Sequence, residues 1–150
     1  MAKMQRVSFP SSTSKAKGVF DLLHVDIWGP YSHRTCAGAK FFLTIVDDCS
    51  RATWVHLMAH KSNAFPLLKA FLVFVETQFG TSVKIIRSDN GLEFKNKSAL
   101  DFYKEKGILH QTSCVDTPQQ NGVVERKHQH LLQVCRALMF QSHLPIKFWS

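Results

Sequence analysis

Three acidic residues stand inside or beside stretches regular enough to hold them rigid: Asp26 within Val25-Asp26-Ile27, Asp89 after the run 83–88, and Glu125 within Val123-Val124-Glu125-Arg126-Lys127. Between Asp89 and Glu125 lie 35 residues. Carboxylates gathered from separate elements are what phosphodiester chemistry requires. A hard cation such as Mg²⁺ takes oxygen ligands and keeps positions open for water and phosphate. Two such ions ~3.5–4 Å apart activate an attacking oxygen and stabilise a leaving one in an in-line displacement, and about three carboxylates hold them. Without metal the same carboxylates repel, which raises at least one pKa and makes metal binding pH-dependent. Taken singly, each acid has a plainer explanation. An Asp at a strand end turns the chain or caps a helix, and a Glu early in a helix answers the helix dipole.

The elements that must position these acids can be read from hydrophobic period. Residues 20–28 form a first strand, the nearly continuous apolar run 39–46 a second, and 52–58 a third. Asp47-Asp48-Cys49-Ser50 is the turn between the second and third, with Ser50 and Arg51 fixing it by hydrogen bonds. A helix follows, with Ser62 as N-cap, Pro66 in its first turn, Leu67, Leu68, Phe71, Leu72, Val75 and Phe79 at helical spacing, and Gly80 at its end. Residues 83–88 make a fourth strand, 98–106 a helix ending at Gly107, and 108–112 a fifth strand. A long helix runs from about residue 121 to 141, with Val124, Leu131, Cys135 and Leu138 on one stripe. Three antiparallel strands followed by alternating helices and strands imply an α/β domain: a five-stranded mixed sheet flanked by helices.

Bulk properties agree with one such domain. The chain has 150 residues, 45% of them hydrophobic, with 12 Phe for a core. Residues 1–19 carry Lys3, Arg6, Lys15 and Lys17 without an acid and read as a basic linker, leaving 20–150 as the domain. No apolar run approaches the length of a membrane span, so no membrane partner is expected. The formal net charge of +8 favours a polyanionic partner. Cys36, Cys49, Cys114 and Cys135 lack zinc-finger spacing and read as reduced, partly buried thiols in an intracellular setting.

Four motifs stand in order: His24-Val25-Asp26-Ile27-Trp28-Gly29-Pro30, Val46-Asp47-Asp48-Cys49-Ser50-Arg51, Ser88-Asp89-Asn90-Gly91-Leu92-Glu93-Phe94, and residues 117–126 (TPQQNGVVER). Together with the 35-residue spacing, they resemble the catalytic core of copia-type LTR-retrotransposon integrases, within the retroviral integrase superfamily. The resemblance covers residues 20–150 and implies a ribonuclease H-like fold, incomplete here at its C-terminal end. It implies that Asp26, Asp89 and Glu125 are the catalytic, metal-binding triad for Mg²⁺ or Mn²⁺, two ions in all. The activity implied is metal-dependent DNA strand transfer. Its partners would be element ends and target DNA, with homo-oligomerisation at full length and action in the nucleus. The family's upstream His-His-Cys-Cys zinc-binding domain has no counterpart before residue 20.

Around the triad, Gln119, Asn121, Arg126 and Lys127 are candidates for DNA contact, Arg126 and Lys127 through phosphate. Glu93 has a surface role in this reading. His128 and His130, two apart on a helix, point to different faces and do not pair as metal ligands. Two other functions compete: a ribonuclease H-like nuclease using water as attacker, and a truncated nucleic-acid-binding remnant without turnover.

Overall fold

In the computed structural model, residues 15–112 and 122–143 are described. The strands are β1 Leu22–Trp28, β2 Phe41–Asp47, β3 Thr53–Met58, β4 Ile85–Ser88 and β5 Leu109–Thr112. The helices are α1 Ala64–Phe79, α2 Leu92–Lys95, α3 Lys97–Lys106 and α4 Gly122–Ser142. The sheet order is β3-β2-β1-β4-β5. β1, β2 and β3 pair antiparallel, while β4 joins β1, and β5 joins β4, in parallel. This is the mixed five-stranded sheet expected of the ribonuclease H-like fold.

Side-chain alternation along β1 divides the molecule. Leu23 and Val25 point into a core shared with Leu43 and Ile45 of β2, Leu68, Phe71, Leu72 and Val75 of α1, Phe94 of α2, and Ala99 and Tyr103 of α3. Fully burying each large apolar side chain stabilises by ~1.5–3 kcal/mol. The opposite face carries His24 and Asp26, and α4 packs there against β1 and β2.

Helix boundaries follow local chemistry. Pro66 is the third residue of α1, where no N–H is needed. Gly80 (φ 62°) and Gly107 (φ 68°) end α1 and α3 in the left-handed conformation that glycine adopts without strain. Asn96 caps α3 by accepting the Ala99 N–H at 2.9 Å.

Three expectations are corrected, and one short helix is added. Ser62 is not an N-cap: it lies inside a 3-10 turn, Lys61–Asn63, where the Asn63 side chain accepts the His60 N–H at 3.1 Å. The short α2 was not foreseen, because four residues are too few to show a period. The apolar stripe of α4 is buried only at its start. Val124 is fully buried, whereas Cys135 and Leu138 are exposed, since the helix outruns the sheet it covers. Cys36 and Cys135 are exposed rather than partly buried, and Cys49 is half-buried; all three are free thiols. Cys114 lies outside the described residues. Among those residues no helix is long and apolar enough to cross a membrane.

Candidate active site

The register of two parallel strands starts the site. Val25 on β1 sits opposite Ser88 on β4, so the next residues along each strand, Asp26 and Asp89, are brought side by side. Asp89 follows the last residue of β4 and accepts the Gly91 N–H at 3.0 Å. The third acid arrives on α4. Val124 and His128, both buried, seat the first turns of this helix against the sheet and leave Glu125 exposed in the first turn.

Electrostatics record the convergence. The Asp26 carboxyl is pushed up to about 7, first by burial and then by Asp89 and Glu125, against the Ile27 N–H and the Lys61 cation. One oxygen of Asp26 accepts the Ile27 N–H at 2.9 Å. The other faces His128 Nδ1 at 3.7 Å. The His128 ring is held at about 4 by desolvation, so it is neutral where the site would work.

These groups suit a hard divalent cation. They are oxygen donors on three separate elements, and their mutual repulsion is what a cation relieves. In this conformation no three His, Cys, Asp or Glu side chains among the described residues close into one coordination sphere. Asp89 and Glu125 are both exposed.

Sequence reasoning undervalued two neighbours and missed one. Glu93 is partly buried, and Lys61 Nζ lies 4.0 Å from its Oε1. A methyl group on Gly91 would sit 2.7 Å from Glu93 Oε2 and 2.9 Å from Asp89 Oδ1, so the two carboxylates share the space over that glycine. Lys61, not singled out in the sequence, sends its charge onto Asp26 from the turn before α1. His128 and His130 do face different ways, one buried and one exposed, but the buried one reaches Asp26. The signal was the spacing of Val124, His128 and Leu131, which places the imidazole on the inward stripe. Arg126 is exposed and Lys127 half-buried beside Glu125. Gln119 and Asn121 lie outside the described residues.

Comparison with known proteins adds an independent line. Residues 16–118 match the family described as Integrase core domain, a span that includes Asp26 and Asp89 and ends before Glu125. The chain is 34% identical over 148 residues to the Retrovirus-related Pol polyprotein from transposon TNT 1-94 of Nicotiana tabacum, covering 99% of this chain and 11% of that protein. It is 29% identical over 147 residues to the Retrovirus-related Pol polyprotein from transposon RE2 of Arabidopsis thaliana, covering 98% of this chain and 10% of that protein. The chain thus spans about a tenth of the length of the curated relatives it matches.

Proposed function

Because the chain belongs to the integrase core domain family, we propose that residues 20–150 are the catalytic core of a copia-type retrotransposon integrase. The reaction is metal-dependent strand transfer that joins element DNA to a chromosome. One observation carries this reading: a parallel strand register and one packed helix bring Asp26, Asp89 and Glu125 to the same end of the sheet.

Asp26, Asp89 and Glu125 would hold Mg²⁺ or Mn²⁺, two ions in all. Bound there, the cations supply Lewis acidity to the phosphodiester and orientation to the attacking oxygen. The chain's own residues provide anionic oxygens from separate parts of the fold, that of Asp26 largely buried. Arg126 and Lys127, next to Glu125, suit phosphate, and such contacts position DNA without reading its sequence. No side chain serves as nucleophile, since the attacking oxygen is the 3′-hydroxyl of the element end. The partners are element ends and target DNA, an assignment the net charge of +8 supports. A chromosomal target sets the work in the nucleus, with the full-length protein as a homo-oligomer.

The test is reversal of strand transfer on a pre-branched DNA, which arrives already assembled. The chain should resolve this substrate with Mn²⁺ or Mg²⁺, and Glu125→Gln should fall to background. Equal activity in both proteins would remove Glu125 from the site.

A further inference from the structure

We propose that His128 is a positioning residue for Asp26, donating from Nδ1 to the carboxylate and setting the direction in which its oxygens face a bound cation. The cation in this statement rests on the functional reading above, whereas the contact itself stands on geometry alone.

The side chain is 8% exposed, with Nδ1 3.7 Å from Asp26 Oδ2. Its other nitrogen, Nε2, is buried without a hydrogen-bond partner. A neutral imidazole has one N–H and one lone pair to distribute. A buried N–H left unpaired is rarer and costlier than an under-used acceptor. The proton therefore belongs on Nδ1, where Asp26 can accept it, and Nε2 is left as the idle acceptor.

The surroundings leave the ring little freedom. Phe42 meets it edge-on, with centroids 5.3 Å apart and planes at 85°. Phe42 is itself stacked on Trp28 at 5.1 Å. At 3.7 Å the contact is longer than a hydrogen bond, and catalytic hydrogen bonds are often long until the reacting complex draws them in. The second oxygen is already held by the Ile27 N–H, so a donor from the strand and a donor from α4 would bracket the carboxylate. His128 stands three residues beyond Glu125. Docking of the helix that delivers one acid would then also orient another.

Two measurements on the whole chain decide the matter. Without metal and at about pH 9, where Asp26 with its midpoint of about 7 is ionised, long-range ¹H–¹⁵N spectra should show His128 protonated at Nδ1, with the population moving toward Nε2–H in Asp26→Ala. A ring protonated at Nε2 in the parent, or one indifferent to Asp26→Ala, overturns the proposal. Calorimetric titration with Mn²⁺ should then show a Kd raised ~10-fold in His128→Phe, the lower end of what outer partners of metal ligands contribute. His128→Asn, which keeps a donor, should recover part of that loss. An unchanged Kd in a His128→Phe protein that melts like the parent overturns the positioning role. Absence of Mn²⁺ binding in every protein would instead sink the functional reading, while the metal-free tautomer still judges the contact.

Discussion

The molecule holds inward-placed aspartates at two sites, and they meet opposite fates. At the β2–β3 turn, Asp47 is fully buried and accepts the Phe20 N–H at 2.8 Å, the Ser50 N–H at 2.8 Å and the Ser50 hydroxyl at 2.6 Å. Its neighbour Asp48 accepts from the Ala16 N–H at 2.6 Å, His24 Nε2 at 2.9 Å and Arg51 Nη1 at 3.1 Å. Burial alone would raise the Asp48 carboxyl, yet the Ala16 N–H and the His24 and Arg51 side chains hold it below its ordinary value. At Asp26 the balance reverses. One backbone N–H is set against burial and two other carboxylates, and the group rises to about 7. Donor supply, set against burial and neighbouring carboxylates, separates a carboxylate held below its ordinary value from one pushed well above it.

The largest expected effect breaks the structural side of this contrast. Asp47→Ala removes the acceptor of the buried Phe20 N–H and of two part-buried Ser50 donors, and should destabilise by ~2–4 kcal/mol in urea unfolding. A loss under ~1 kcal/mol would mean that the turn does not depend on its acid.

Asp26→Asn should act in the opposite direction. The folded value of about 7 exceeds the ordinary 3.8, so between these values the folded chain keeps a proton that the unfolded chain has lost. Stability from this group is fully present below pH 4 and drains away as pH rises to about 7. The Asn variant, spared that loss, should be more stable than the metal-free parent at pH 8 by ~1–3 kcal/mol, with little difference at pH 4. Melting curves at the two pH values check this, and a destabilised variant at pH 8 would contradict it.

The smallest effect sharpens the comparison inside the acidic site. In Gly91→Ala the new methyl must displace the Glu93 and Asp89 carboxylates, which lie 2.7 Å and 2.9 Å from its position. Mn²⁺ affinity should drop several-fold while the melting temperature barely moves, because both displaced groups are flexible side-chain ends. An unchanged affinity would place Asp89 outside the metal site.

Much of this was readable from the amino acids, for reasons that differ by residue. The five strands, the Gly80 and Gly107 helix ends and the Asp47–Asp48 turn depend on period and local hydrogen bonding, which the sequence carries directly. Asp26, Asp89 and Glu125 were legible through their motifs and spacing. Their meeting depends on the parallel register of β1 and β4, which is a tertiary fact. Lys61 and His128 escaped for the same reason. Lys61 acts across space from a turn whose cap was assigned to Ser62, and His128 matters only once α4 is known to cover the Asp26 face. The stripe from Val124 through His128 to Leu131 held that information, but no sequence period says which side of a sheet a helix will choose.

The central claim is that three carboxylates act on one another, and the most direct measurement is the titration of Asp26 by ¹³C NMR in metal-free protein. The account predicts a midpoint near 7 in the parent, lower in Asp89→Asn and, by a smaller step, in Glu125→Gln. A midpoint near the ordinary 3.8 in all three proteins would contradict it and leave the acids as separate surface groups.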